Sequence, residues 1–600
     1  MRAAFKPEPA TSAAIGLLIL HGVLLGWGAY VHSPTLNEPG HLAAGLSYWK
    51  SGHFDVYSVN PPLVRLVAAL PAMLAGAKTD WHSYTAGKGA RPESLMGEDL
   101  AAANGRRFFW LVTLSRWTCI PFSLIGACVC YLWAKELYGV RSGLFSLTLW
   151  CLCPNVIAHG QLITCDVAGT ALGAAACFLF WRWLRAPSWR AAFMSGAALG
   201  LAAATKSTLL LLYPLFPAMW LVYRWLGRDA QRRGHWCRET GMLAAIGLAS
   251  LYIVNLVYGF EGTGTRLREF DFVSRALTSS IEAAPTAGQE SPAGVANRFA
   301  DTRLGALPIP LPKNYLSGID LQRHDFEVLS QPSYLRGRFS PRGWWYYYLY
   351  ALAVKVPLGA WVIVCLAGIL GTRHPLGVAV RDECALLCPA AAIFILVSTQ
   401  TGFSAHMRYI LPIFPLLYIW SGRSVRIAWN VGRVTNKAVL AGAATWFGMS
   451  SLWTYPHSLA YFNELAGGPR GGPSHLISSN LDWGQDLLKL QAWLNQHPEV
   501  RPLRLAYYGP IDARSAGIDY SWDASSPLNV SEHDAWRFHP EPGWYAISVN
   551  LIRGFPHSIE TGHRGQTRAL RVEELAEFRR FQVFASVGYS IYIYHITEGS

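Results

Sequence analysis

Along this chain apolar residues gather into long runs instead of alternating with polar ones. The runs fall at 13–31, 108–133, 142–157, 166–184, 190–205, 207–226, 240–260, 344–370, 383–400, 407–421 and 437–455. A helix needs about 20 apolar residues to cross a bilayer, with 17–25 usual, so the pattern predicts about eleven spans, several of them short. A further run at 63–77 is too short to cross and is expected along the interface. Three longer, more polar segments interrupt or follow the runs, at 32–107, 261–343 and from about 456 to 600. The last has mixed patterning. It predicts strands at 503–508, 544–550 and 590–595, with amphipathic helices at 482–496 and 571–580. The fold class read from this is mainly α: a polytopic membrane helix bundle over 1–455, with a small α/β domain over 456–600 outside the membrane. No fixed-period repeat and no low-complexity tract appears.

Composition sharpens that picture. Of 600 residues, 52% are apolar and only 15% charged, against roughly 25% charged in a soluble protein. Disorder, a coiled coil and an ordinary cytosolic enzyme are excluded. A net charge of +14 by itself suggests nucleic acid. Its distribution does not, because the basic residues sit in short loops and no basic stripe carries interleaved aromatics. Threading eleven spans from a cytoplasmic N-terminus gathers the basic loops on one side. These hold Arg2 and Lys6; Lys135 and Arg141; Arg182, Arg185 and Arg190; Arg224, Arg228, Arg232, Arg233 and Arg238; Arg373 and Arg381; and Arg423, Arg426, Arg433 and Lys437. That is the positive-inside pattern. It places the three long segments outside, and it leaves Lys206 and Arg408 as exceptions in the short outer loops. The first run is long for a signal peptide and lacks a clean cleavage site, so it is read as a retained anchor. All eleven cysteines lie in or beside apolar runs, and the outer segments from 261 and 456 have none, as suits an oxidising space. Cys151 and Cys153 have metal-like spacing but no partner His, and are read as packing.

Ionisable groups at membrane depth are costly, which makes them functional candidates. The first group follows the first run: Asn37, Glu38, Pro39, Gly40 and His41, continuing to Asn60, Pro61, Pro62 and Leu63 with Arg65 behind. Glu38 and His41 share a face if Pro39 opens a short helix; the plain alternative is a proline-stiffened loop with a solvated Glu. Asp166 stands at the outer end of a run, where a helix-capping role is the competing reading. Lys206 and Arg408, the latter in His406-Met407-Arg408-Tyr409, stand at the same depth, where either could instead snorkel toward headgroups. Two carboxylates and two cations together suit an anionic, phosphate-bearing lipid. The run Trp344-Trp345-Tyr346-Tyr347-Tyr348 reads first as an interfacial aromatic belt and second as a sugar platform. Asp482 to Asp486 is a polar knot around Trp483, in which Asp482 could equally cap a helix.

Taken in order, these motifs resemble the protein O-mannosyltransferase-like glycosyltransferases of the GT-C superfamily, which includes the aminoarabinose transferases of lipid A. Pro308 to Pro312, Tyr315, Gly318 and the Asn480-Leu481-Asp482-Trp483-Gly484-Gln485-Asp486 stretch are similar to a bacterial sub-branch. The resemblance implies a bacterial inner-membrane enzyme that moves a sugar from a polyprenyl-phosphate carrier to a protein, glycan or lipid acceptor on the outer face. It implies Glu38 and Asp166 as catalytic groups, with Asn37, His41, Asn60, Arg65, Lys206, Arg408 and Tyr409 binding substrate. One position departs from the family, whose loop carries an Asp-Glu pair with the first carboxylate taken as base. Here that position is Asn37, so Glu38 is expected to have inherited the role. No cofactor is implied with certainty; a divalent metal beside Glu38, His41 and Asp166 is left open. A transporter or flippase of lipid-linked sugars is the first alternative, weakened by the absence of midplane polar groups and inverted repeats. A non-catalytic relative that binds lipid or glycan is the second.

Overall fold

The computed structural model of the chain describes residues 8–598 apart from 86, 228–235, 281–294, 329–331, 401–405, 522–539, 561–566 and 572. Arg2, Lys6, Arg228, Arg232 and Arg233 of the charge pattern therefore lie outside the described residues. All eleven apolar runs are helical, as backbone groups surrounded by apolar side chains must be satisfied within their own segment. Five helices are long and apolar enough to cross a membrane: Pro9–Val31, Arg107–Tyr138, Cys165–Arg185, Ser207–Leu226 and Trp236–Val257. Two bent pairs raise the number to seven: Val140–Cys151 with Pro154–Gly160 at 59°, and Tyr347–Lys355 with Leu358–Arg373 at 110°. The remaining runs, at Trp189–Ala203, Val380–Thr399, Ile413–Val431 and Val434–Thr454, form shorter or less apolar helices. Length and composition thus support five to seven spans among the described residues, where the runs alone predict about eleven. The chain is a multi-pass membrane protein. Helix Leu63–Leu74 is apolar and short, as the run at 63–77 predicts.

Small residues let the helices approach. A Cβ on Gly196 would stand 2.6 Å from the Ile246 carbonyl, and one on Gly200 2.7 Å from that of Ser250. Helix Trp189–Ala203 therefore lies directly on Trp236–Val257, in the small-residue packing common between membrane helices. The polar ends of the bundle are tied differently. At one end Arg224 pairs with Glu239 at 2.7 Å and donates to the Leu184 carbonyl. There too Trp181 and Tyr223 both donate to Asp382, and Arg423 pairs with Glu383. Helix Cys165–Arg185 runs from that end, at Trp181 and Leu184, to Asp166 at the other.

After Thr454 the chain folds over the Asp166 end. Strands Leu503–Ala506, Gly543–Ser548, Ile591–Ile596 and Ala585–Val587 form one sheet in that spatial order, the first pair parallel and the others antiparallel. The three predicted strands are all present. The helix predicted at 482–496 begins only at Leu487, and the one at 571–580 shortens to a 3-10 turn over Ala576–Arg580. Apolar side chains of the sheet, among them Tyr545 and Ile547, pack in one cluster with Ala158 and Leu162 of the bundle. Lys355, buried at the 110° bend, donates to the carbonyls of Leu459 at 2.9 Å and Asn480 at 2.6 Å.

Candidate active site

At the Asp166 end the three long segments and the helix ends enclose a cavity of about 650 Å³. Asp166 lies in the first turn of Cys165–Arg185, where the helix dipole favours negative charge. It is not the cap predicted as the alternative: Thr164 holds that position, and its buried hydroxyl has no partner among the described residues. Lys206 Nζ donates to Asp166 Oδ1 at 2.7 Å, and Arg408 Nε stands 3.5 Å from Oδ2. Gly169 makes room for the lysine, since a Cβ there would lie 3.1 Å from that of Lys206. Both cations also face the Tyr409 ring at 5.4 Å, and the Arg408 guanidinium lies 4.1 Å over the Trp483 indole. Arg408 Nη1 is buried and makes no hydrogen bond among the described residues. Two cations against one carboxylate, with a guanidinium nitrogen left over, form a cradle for an anion.

Of the nine candidate residues, Asn37, His41, Asn60, Asp166, Lys206, Arg408 and Tyr409 line the cavity. His41 stacks on Tyr57 at 4.8 Å and its Nδ1 is buried without a partner. Burial, then the nearby Arg65, pushes its pKa down to about 3, so at neutral pH it is an uncharged imidazole. Asn60 adopts a left-handed φ of 62°, and the loop that carries it packs under helix Lys313–Val328. Gly318 of that helix has no room for a Cβ, which would stand 2.0 Å from the Ser58 carbonyl.

Two of the candidates lie away from the cavity. Arg65 does not line the cavity; it lies 4.4 Å over the Tyr57 ring and donates to the carbonyls of Val59 and Asn60, bracing the loop from behind. Glu38 does not line it either. Helix Glu38–Ser51 does begin at this proline motif, but of Glu38 and His41 only His41 reaches the cavity. The Glu38 carboxylate accepts from Arg116 Nε at 2.8 Å and Arg116 Nη2 at 2.5 Å. It also takes the N–H of Thr35 at 2.8 Å, the Thr35 hydroxyl at 3.0 Å and the N–H of Ile163 at 2.9 Å. Both side chains of the pair are fully buried. Burial raises the Glu38 carboxyl, but the Arg116 guanidinium and the two N–H donors outweigh it and hold the group below its usual range. With its oxygens taken, Glu38 is also lost as a ligand to the metal left open beside His41 and Asp166.

Two lining groups, Arg91 and Asp325, were not singled out in the sequence. Arg91 of the first loop pairs with Asp325 of the second at 2.7 Å across the cavity edge. The aromatic run divides. Trp345 is 70% exposed, while Tyr347 and Tyr348 are buried and Tyr348 lines the cavity. The Asn480-to-Asp486 knot is structural as well as cavity-lining. The Met407 N–H donates to Asn480 Oδ1 at 2.9 Å, which fixes the turn that carries Arg408. Asp482 caps no helix; its Oδ1 accepts from the Gly484 N–H, and burial pushes its carboxyl up to about 8.

Comparison with known proteins bears on the same region. Residues 113–258, the stretch that carries Asp166 and Lys206, match the family model described as dolichyl-phosphate-mannose-protein mannosyltransferase. No curated protein sequence matches the chain. Among solved structures, ArnT from Cupriavidus metallidurans bound to undecaprenyl phosphate is 13% identical, with 97% of this chain and 98% of that one covered and a TM-score of 0.43. Its apo state gives 13%, 98% of each chain and 0.44. The archaeal oligosaccharyltransferase AglB from Archaeoglobus fulgidus, in complex with an inhibitory peptide and a dolichol-phosphate, is 10% identical over 73% of this chain and 54% of that one, at a TM-score of 0.40. The resemblance carried by the loop motifs thus meets a family match on the segment that supplies the central carboxylate and lysine: over residues 113–258 the chain is similar to the dolichyl-phosphate-mannose-protein mannosyltransferase family.

Proposed function

We propose that the chain transfers a sugar from a polyprenyl-phosphate carrier to an acceptor hydroxyl or amine, in the cavity at the Asp166 end of the bundle. The observation that carries this reading is the Lys206–Asp166–Arg408 cluster inside a cavity of about 650 Å³. The donor phosphate takes its place on Lys206 Nζ and the free Arg408 Nη1. With the anion seated on the two cations, the Asp166 carboxylate accepts the acceptor's proton. The bond from the acceptor atom to the anomeric carbon forms as the bond from that carbon to the phosphate oxygen breaks, inverting the centre. The departing phosphate carries the electron pair toward Lys206 and Arg408, whose charges stabilise it as it develops. Asn37 and the neutral His41 stand beside the cluster and orient the acceptor. The cavity opens at the periplasmic face of a bacterial inner membrane in this reading.

Titration of the purified chain with a short-chain polyprenyl phosphate tests the anion cradle. Removing a charged hydrogen bond costs about 1.5–3 kcal/mol. Lys206→Met and Arg408→Gln are therefore each expected to weaken binding by about 10–100-fold, while Arg65→Gln leaves the phosphate contact itself intact. Equal affinity in all three variants would remove the cluster from the donor site. The second reading, a non-catalytic binding relative, is favoured by one observation: neither residue of the 37–38 pair brings a carboxylate to the cavity. It is met by donor binding without turnover.

A further inference from the structure

A second cluster of donor atoms lies apart from the cavity. His32 follows the first helix, His457 follows helix Val434–Thr454, and Asp486 heads helix Leu487–Gln496. One ligand atom from each of the three lies within 4.8 Å of the others. The surroundings prepare each of them. His32, 4% exposed, donates from Nδ1 to the Gly28 carbonyl at 2.9 Å, which leaves Nε2 as the unprotonated nitrogen. Asp486 is fully buried; its Oδ2 accepts from the Ser590 hydroxyl at 2.7 Å and from Gln485 Nε2 at 3.3 Å, whereas Oδ1 has no hydrogen-bond partner among the described residues. His457 Nδ1 stands 3.5 Å from that Oδ1 and is itself buried, with no hydrogen-bond partner among the described residues. Gly588, at φ 61°, presses so close that a Cβ there would fall 2.1 Å from the Asp486 carboxyl carbon, so no other side chain can enter from that side.

We propose that His32, His457 and Asp486 bind one divalent transition ion, zinc being the ion that two imidazoles and a carboxylate suit best. Tetrahedral ligands at 2.0–2.1 Å stand about 3.3 Å apart. Asp486 and His457 are nearly there, and the outer limit of 4.8 Å asks for about 1.5 Å of movement. The Gly28 carbonyl and the Ser590 hydroxyl are the outer partners that orient such ligands. One group opposes the ion. Lys489 Nζ lies 3.3 Å from His457 Nε2 and supplies the positive charge that Asp486 faces here; it swings away when the ion takes that role. The ion joins three distant segments at a seam already stitched by backbone. The Ser33 N–H donates to the Gln485 carbonyl, the Leu36 N–H to that of Trp483, and the Leu488 N–H to the Ser33 hydroxyl. Because Leu36 and Trp483 line the cavity, the ion fixes the cavity wall without entering the reaction. The proposal stands whether or not the chain transfers sugar.

Metal content and spectra of the full chain, purified in detergent, test it. After equilibration with zinc and dialysis, the native chain is expected to hold about one ion, and cobalt(II) in its place to give the ligand-field bands of a low-symmetry four-coordinate site. His457→Gln, at a half-buried position the fold tolerates, and Asp486→Asn are each expected to lose the ion and the bands. Lys489→Gln is expected to bind more tightly than native. Zinc should raise the thermal midpoint of the native chain and leave that of His457→Gln unmoved. His406→Gln, which alters a cavity imidazole, keeps the ion. Zinc content unchanged in His457→Gln, or lost in His406→Gln instead, overturns the assignment, as does a native chain that binds no zinc. If Asp486→Asn fails to fold, His457→Gln decides alone.

Discussion

A carboxylate that accepts five hydrogen bonds in a sealed pocket serves the fold before it serves a substrate. Glu38 is in that position: Arg116, which holds it, also donates to the carbonyls of Ala29, His32 and Ser33, so the pair ties the end of the first helix to the start of the loop. Breaking a buried pair of this kind costs about 3–5 kcal/mol. Glu38→Gln is therefore expected to lower the thermal midpoint markedly, with transfer per folded molecule falling far less than in Asp166→Asn. Parallel melting and turnover curves check this, and a stable Glu38→Gln chain without activity would return Glu38 to the reaction. Asp166→Asn is expected to do the reverse. Transfer falls at least a hundredfold, within the range of general base catalysis, while polyprenyl phosphate binds as well as before or better, since two cations lose their internal counter-ion. Position 37 is the one that faces the cavity, so Asn37→Asp is expected to raise turnover by about tenfold or more. An unchanged rate would show that the amide does not limit the reaction.

At the scale of elements, the segment from Asn480 to Asp486 connects the outer sheet to the bundle. Asn480 fixes the Arg408 turn, Trp483 lies under the guanidinium, and Asp482 sits in the bend between them. Burial raises the Asp482 carboxyl to about 8 in the folded chain, against about 3.9 unfolded. Between those values the folded state binds the proton more strongly, so the stability Asp482 contributes is full at low pH and is lost as pH rises through about 8. Asp482→Asn is expected to flatten that decline; thermal midpoints from pH 5 to 9 for both chains measure it, and identical slopes would contradict it. Helix packing gives a second case. A β-branched side chain at Gly200 collides with the Ser250 carbonyl and with Ile253, and Gly200→Val is expected to lower the thermal midpoint at a cost of about 1–3 kcal/mol or more. Apolar periodicity revealed the helices because it records which residues avoid water. It gave no sign of the 110° bend that buries Lys355, because a bend depends on what accepts the lysine's protons, here carbonyls about 100 residues or more further along.

Over the whole molecule, the site assembles from segments that are far apart in sequence. The first loop supplies Asn37 and His41, the bundle Asp166 and Lys206, the second loop Asp325, and the last segment Trp483. Of the seven candidates that line the cavity, Asp166, Lys206 and Arg408 were legible because each breaks a local rule, as a cation in a loop otherwise poor in charge or a carboxylate at the end of an apolar run, whereas Asn37, His41, Asn60 and Tyr409 stood out only as members of motifs. Glu38 and Arg65 break the same rules, yet they face inward. Only the positions of Arg116 and of the Tyr57 ring decide that, and neither is encoded in local spacing. The Arg91–Asp325 pair breaks no rule, since each looks like an ordinary loop charge until the two loops meet. The most direct measurement of the central claim is transfer of radiolabelled sugar from polyprenyl-phosphate donors by the purified native chain and by Asp166→Asn, with a membrane extract as acceptor. Turnover by the native chain that falls at least a hundredfold in Asp166→Asn, with donor binding retained, is the expected result. Equal turnover in the two chains, or donor binding without any turnover by the native chain, would contradict it.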